Sequence, residues 1–373
     1  MSYMRTLGSA IIAIPLLAAT AAAQDAPPAI AGLTDQAEIE RVQALIDDAR
    51  EEGAFEWTGT YVEPEQAQSI LNEFKSYYGL ENLRTEYTYA PSGQIITRVE
   101  QLLGADRNNF DVVWIIAWAW FEDLLERGEI AEYHSPYYDD YTLSNEAGMS
   151  KEGYWVSDAY TFHPAFNPTA LAQHGLEDFE PKSWNDFLDP RLRGLVSMGD
   201  VNRSTTYAPV AQGIEVAMGE EWFTELAENV EPVLFTQTSA GRDWLASGEF
   251  PVSIMGSAKH AATLLDRGVE VKLVYPEEGV PLLPFAPIIL AKAPHPNAAR
   301  LFIDFVRSEH GAQTVMDAGT YMFFGRPGIV SPIPEMLPDW NEVNVVPMDW
   351  SVEGSEERLA EIRKIFTDSG VGF

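Results

Sequence analysis

Residues 110–130 read FDVVWIIAWAWFEDLLERGEI, and this stretch decides the fold class. Asp111-Val112-Val113-Trp114-Ile115-Ile116 is a short apolar run, rich in β-branched and aromatic residues. That is the signature of a strand buried on both faces. Trp120 to Arg127 then takes helical spacing, and Gly128 supplies the left-handed stop.

The same alternation extends upstream. Asp35 to Glu52 reads as a helix closed by Gly53, and Phe55-Glu56-Trp57-Thr58-Gly59 as a strand. Ala67, Ile70, Leu71, Phe74 and Tyr78 share one helix face, with Pro64 suited to the first turn and Gly79 to the end. Arg84 to Tyr89 reads as a strand. Ser92 is placed to cap a helix carrying Ile95, Ile96, Val99, Leu102 and Leu103, stopped by Gly104. Strands alternating with helices predict a mostly parallel sheet covered on both faces.

The pattern breaks between Glu132 and Asn167, a Tyr-, Pro- and Asp-rich segment with a strand-like run from Tyr154 to Phe162. We read it as a crossing to a second lobe. A second α/β series follows. It holds strands at Leu195–Met198, Pro251–Met255 and Val269–Val274, and helices at Thr205–Met218, Glu221–Ala227 and Ser257–Asp266. Phe285 to Leu290 is expected to return to the first lobe. Two helices follow there, and a tail helix begins at Ser355-Glu356-Glu357. The expected division is lobe 1 from 24–152 plus 284–330, and lobe 2 from 153–283 plus 331–373.

Composition narrows the function. The 373 residues carry 24 Lys plus Arg against 57 Asp plus Glu, a net charge of −33. Such a surface repels a phosphate backbone, so no nucleic acid is expected as partner. An anionic membrane surface is disfavoured for the same reason. The chain has no cysteine, which excludes disulfides, thiolate metal sites and a lipid-modified cysteine. Arg5, the uncharged run Leu7 to Ala22 and Ala21-Ala22-Ala23 fit a cleaved secretory signal over residues 1–23. Export to the periplasm, with a mature start near Gln24, is the expectation.

Ligands of open α/β sheets sit at the carboxyl ends of strands, beside helix N-termini with exposed N–H groups. Three strand-to-helix turns carry hydroxyls or glycine at that point: Ala90-Pro91-Ser92-Gly93-Gln94, Asn202-Arg203-Ser204-Thr205-Thr206-Tyr207, and Gly256-Ser257-Ala258-Lys259. Any one of them is explained by ordinary capping. Three converging on one cleft would suit phosphate, phosphonate or carboxylate. Trp118 and Tyr61, each just after a strand, offer aromatic walls for a ring or an organic cation. Core packing explains them equally well.

No catalytic signature stands out. The six histidines are scattered without HExxH. There is no GxSxG, no GxxxxGK[ST] and no GxGxxG after a strand. No cofactor or metal site is expected, and an exported hydrolase is kept only as an alternative.

The order of elements, with several local segments, resembles the periplasmic solute-binding proteins of ABC importers. The branch is that of ferric-ion-, phosphonate- and sugar-phosphate-binding members. The segments are Phe110–Trp114 with Leu124–Ile130, Gly153-Tyr154-Trp155-Val156, Pro181–Gly194 (PKSWNDFLDPRLRG), Trp244–Glu249, and His295–Ala299 with Phe302–Phe305. The resemblance implies a two-lobed type II binding-protein fold whose lobes are joined by hinge strands and close on ligand. It implies an ABC permease and its ATPase as partners, and a monomer. It places anion contacts at Ser92-Gly93, Ser204-Thr205-Thr206 and Thr238. Ferric-ion binders carry a Tyr-Tyr pair just after the second lobe's strand. Ile254-Met255-Gly256-Ser257-Ala258-Lys259 has none, and Ser257 and Lys259 there suit an anionic or polar ligand better than iron. The expected role is capture of a small organic anion, a phosphate- or phosphonate-bearing compound first. An organic cation such as a polyamine, or a ferric ion, on the same scaffold is the alternative.

Overall fold

A computed structural model describes residues 26–204 and 206–372; the expected signal segment lies outside them. The strands are β1 Ala54–Gly59, β2 Arg84–Tyr89, β3 Val112–Ile115, β4 Asp158–Tyr160, β5 His163–Phe166, β6 Val196–Gly199, β7 Val233–Phe235, β8 Val252–Gly256, β9 Lys272–Leu273 and β10 Leu283–Ile289. They form two five-stranded sheets, ordered β2-β1-β3-β10-β4 and β7-β6-β8-β5-β9.

The two sheets repeat one plan. In the first, β2, β1 and β3 run parallel, and β10 pairs antiparallel with both β3 and β4. In the second, β7, β6 and β8 run parallel, and β5 pairs antiparallel with both β8 and β9. The chain changes sheet between β4 and β5 and again between β9 and β10. Two lobes joined by crossing segments follow directly.

Local chemistry sets the elements. Asp35 caps the helix Gln36–Glu52 by accepting the Ala37 N–H, and Gly53 ends it at φ 71°. Gln66 accepts the Glu63 N–H at 2.9 Å, opening the helix Pro64–Tyr78 with proline in its first turn. The first sheet packs on the helix Pro296–Arg307 through fully buried aromatics. Phe302 lies 4.8 Å from Phe55 and 5.2 Å from Trp57, and Trp114 stacks on Phe285 at 5.3 Å. Each such ring contributes about 2–3 kcal/mol by leaving water.

Several sequence expectations need correction. The run Tyr154–Phe162 is not one strand; only Asp158–Tyr160 pairs, and the next strand starts at His163. Val269–Val274 reduces to Lys272–Leu273, an edge with a partner on one side only. The helix expected from Trp120 starts at Trp118, and the one expected from Thr205 starts at Tyr207. Ser92 is the first residue of its helix rather than the cap, which is Pro91, and its hydroxyl makes no cap bond. β7 and the full helix Thr238–Ser247 were too short and too polar to stand out. Among the described residues no helix is long and apolar enough to cross a membrane.

Candidate functional site

Five strand ends meet at one cavity of about 500 Å³ between the sheets. From the first sheet, β1 delivers Thr60, Tyr61 and Glu63, and β2 delivers Tyr89 and the helix start Pro91–Gln94. From the second, β6 leads to Arg203, Ser204, Thr206 and Tyr207. β7 leads to Thr236–Ser239 with Arg242, and β8 to Lys259 and His260. Tyr160 and Phe162, on the crossing segment, form part of the wall.

Parallel strands make this convergence unavoidable. Each ends on the same side of its sheet and hands the chain to a helix. Four helices begin here: Ser92–Gly104, Tyr207–Met218, Thr238–Ser247 and Ala258–Asp266. Their first N–H groups and the positive ends of their dipoles are therefore local to the cavity.

Of the residues singled out in the sequence, Tyr61, Ser92, Gly93, Ser204, Thr206, Tyr207, Thr238 and Lys259 line this cavity together. Thr205 lies outside the described residues. Ser257 is not in that lining: its hydroxyl accepts the His260 N–H and caps its own helix. It faces a small adjoining recess with Thr238, Arg242 and His260. Trp118 is elsewhere. As a first-turn helical residue it meets Trp155 edge-on at 5.5 Å and lies 6.3 Å from Trp350 of the tail, lining a separate crevice.

Two hydroxyls in the cavity are buried and unpaired. Ser92 Oγ and the Tyr207 hydroxyl have no hydrogen-bond partner among the described residues, and their residues are 4% and 1% exposed. A buried hydroxyl without a partner costs about 1–3 kcal/mol, so such groups await a water or a ligand. Gly199 makes the Tyr207 position possible. A Cβ there would lie 2.5 Å from the tyrosine ring.

Three cations, Arg203, Arg242 and Lys259, line the cavity with one carboxylate, Glu63, and each is ion-paired: Arg203 with Asp200 at 3.5 Å, Arg242 with Asp243 at 3.0 Å and Lys259 with Glu63 at 3.3 Å. Lys259 Nζ donates to the Tyr61 carbonyl and, at 3.3 Å, to Glu63. Burial lowers its pKa, and Glu63 resists that shift. His260 is pushed down to about 3 by burial, then by Lys259 and Arg242, so it stands neutral at pH 7. Tyr61, Tyr89, Tyr160 and Tyr207 all have raised pKa values, with burial the first cause; these phenols stay protonated.

Sequence reasoning names Thr238 but not Glu63, Tyr89, Thr236, Gln237, Ser239 or Arg242. The hydroxyl-rich run Thr236-Gln237-Thr238-Ser239 carries the same signal as Ser204–Thr206. Its strand, Val233–Phe235, was too short to mark it as a strand end.

Residues 110–350 match the family described as bacterial extracellular solute-binding protein. An uncharacterized protein of Haemophilus influenzae is 26% identical over 300 residues, covering 76% of this chain and 82% of that protein. Among solved structures, the periplasmic binding protein AfuA from Actinobacillus pleuropneumoniae, with exogenous fructose-6-phosphate bound, matches with TM-score 0.71. It is 20% identical, with 85% of this chain and 98% of that one covered. Iron-bound HitA from Pseudomonas aeruginosa matches with TM-score 0.64 at 18% identity, over 85% and 99%. The repeated sheet plan, the cavity between the sheets and the family match over most of the chain agree: this chain belongs to the bacterial extracellular solute-binding proteins and has their two-lobed fold.

Proposed function

We propose that the protein works in the periplasm as the solute-binding component of an ABC importer. It captures a small organic anion bearing a phosphate or phosphonate group and hands it to the permease. The lobes are proposed to divide close to the sequence-based bounds, 24–152 plus 284–330 and 153–283 plus 331–373, with the first crossing moved from 153 to after β4, because Asp158–Tyr160 pairs with β10 in the first sheet.

One observation carries the ligand class. A chain of net charge −33 places three cations and one carboxylate in the lining of the cavity between its sheets. Four helix starts and two unpaired hydroxyls face the same space, which is the donor-rich environment an oxyanion needs. A cavity of about 500 Å³ leaves room for an organic body beside the anion, in the range of ordinary small-molecule sites. Tyr89, at its rim, offers a ring face for that body.

The cation alternative keeps Tyr61 in the cavity but loses Trp118, which lies outside it, and finds Glu63 already engaged by Lys259. Ferric ion needs phenolates or several carboxylates. The cavity offers buried neutral phenols and one acid.

The test is a thermal-shift panel on the purified protein. It contains inorganic phosphate, fructose 6-phosphate, an alkyl phosphonate, spermidine and ferric citrate. A ligand at 100-fold excess over its dissociation constant adds about 2.7 kcal/mol of stability. A shift confined to the phosphorus compounds supports the proposal. A shift confined to spermidine or ferric citrate overturns the ligand class, and turnover of the phosphate ester would restore the hydrolase alternative.

A further inference from the structure

Tyr61 makes two polar contacts across to the second lobe and packs its ring on two strands of its own sheet. Its hydroxyl donates to Thr206 Oγ1 at 2.9 Å, at the start of the helix Tyr207–Met218. Its carbonyl accepts from Lys259 Nζ, on the helix Ala258–Asp266. Its ring stacks on Tyr160 of β4 at 4.6 Å and meets Phe285 of β10 edge-on at 5.7 Å. Those two strands adjoin the segments along which the chain passes between sheets. Its φ is 66°, the left-handed region that a bulky residue adopts only under constraint.

Resting on the anion reading, we propose that Tyr61 is a positioning residue: it bridges the lobes and orients Thr206 and Lys259 as donors, without using its own hydroxyl on the ligand. The hydrogen inventory supports this. A threonine hydroxyl has one proton and two acceptor sites. Accepting from Tyr61 leaves the Thr206 proton free to donate into the cavity. The Lys259 ammonium has three N–H groups. The Tyr61 carbonyl takes one and Glu63 a second, which leaves the third. The Tyr61 phenol, raised in pKa by burial, keeps its proton and so remains the donor. The bridge forms only when the lobes are together, so the two donors are set as the cleft closes. The sequence offers Tyr61 as a ligand-stacking wall; the contacts make it a clasp.

The experiment measures binding of inorganic phosphate and fructose 6-phosphate to six proteins by calorimetry: wild type, Thr206→Val and Thr206→Ser, each with and without Tyr61→Phe. Tyr61→Phe should weaken binding about tenfold in the wild-type background. It should add nothing in the Thr206→Val background, because its effect passes through that hydroxyl. Thr206→Ser, which keeps the hydroxyl, should restore sensitivity to Tyr61→Phe. An equal penalty in both backgrounds, or none in either, overturns the proposal. A second arm needs no ligand. The chain has no cysteine, so Thr97→Cys and Ser247→Cys take two nitroxide labels, one per lobe. Tyr61→Phe should shift their distance distribution outward, and an unchanged distribution overturns the clasp. If wild type binds neither phosphorus compound, the anion reading fails by itself, and the distance arm still decides the role of Tyr61.

Discussion

Arg307, at the end of the helix Pro296–Arg307, pairs through Nη1 with Asp158 of β4, and neither side chain is exposed at all. The Asp158 carboxylate also accepts the Gly325 N–H at 3.3 Å. The pair fastens the crossing strand to the first lobe, at the point where the chain prepares to change sheet. Removing one partner strands a buried charge. Asp158→Ala should therefore cost about 3–5 kcal/mol, whereas replacing both partners by apolar residues of similar size should cost much less. Urea unfolding of the single and double variants checks this. Equal losses would mean that the charge pairing is not what holds the strand.

Ser92 separates stability from binding. Its hydroxyl is buried and makes no hydrogen bond to the described residues, so Ser92→Ala should leave the unfolding midpoint unchanged or slightly raised. The same change should weaken a phosphorylated ligand about tenfold, the usual loss for one hydrogen bond to a charged group. Thermal unfolding with calorimetry checks both halves. Lower stability with unchanged affinity would assign Ser92 to the fold alone.

The sequence was most legible where physics is local. Val112-Val113-Trp114-Ile115 is a buried strand on any reading, and Gly53 and Gly79 end helices at positive φ as their positions suggest. Helix starts were legible to within two residues, which was enough to bring Ser92, Ser204 and Lys259 to one cavity. What failed depended on distant partners. Trp118 reads as a cleft residue from its place after a strand, but the tail supplies Trp350 and Gly354 to cover it. Arg242 reads as one more exposed charge, because nothing nearby in the sequence tells that its helix begins at the cavity. The contacts of Tyr61 with Thr206 and Lys259 leave no local signal, because both partners lie far along the chain.

His163 should impose a pH dependence on stability. It is fully buried on β5, bonded through Nδ1 to the Val274 carbonyl at 3.1 Å, and its pKa is lowered from 6.5 to about 4, burial being the first cause. Where the unfolded chain binds a proton that the buried imidazole does not, stability falls as pH falls. That stability is complete above pH 6.5 and is lost as pH falls toward 4, by up to about 3 kcal/mol at roughly 1.4 kcal/mol per unit. Unfolding free energies between pH 7 and 4 should fall less steeply for His163→Gln than for wild type. Parallel slopes would place the acid sensitivity in the carboxylates instead.

Gly354 tests the tail. A Cβ on it would lie 2.3 Å from Trp118 Cδ1 and 2.6 Å from the Trp350 carbonyl, so Gly354→Ala must push the tail off the first lobe. The tail's other side is fixed to the second lobe. Gln212 donates to the Glu353 carbonyl at 2.9 Å, and Arg358 bonds Glu353 at 3.0 Å and also pairs with Glu215. The variant should lose about 1–3 kcal/mol and expose the segment around Trp350 to protease. Unchanged stability and protection would show that the Trp118–Trp350 contact yields freely.

Glu63 gives the sharpest test of ligand charge. It is the one carboxylate among the residues lining the cavity, half-exposed, and 3.3 Å from Lys259 Nζ. An anion entering the cavity is repelled by Glu63 and competes with it for Lys259. Glu63→Gln removes both effects, so a phosphorylated ligand should bind several-fold tighter, with the gain shrinking as salt rises because the site is partly open to solvent. For spermidine the sign reverses: the same substitution deletes the one carboxylate among the described lining residues and should weaken binding. Titrating wild type and Glu63→Gln with fructose 6-phosphate and spermidine at two salt concentrations therefore reads the charge preference from the sign of the change. Tighter spermidine binding, or weaker binding of the phosphate ester, would reverse the assignment of the cavity to anions.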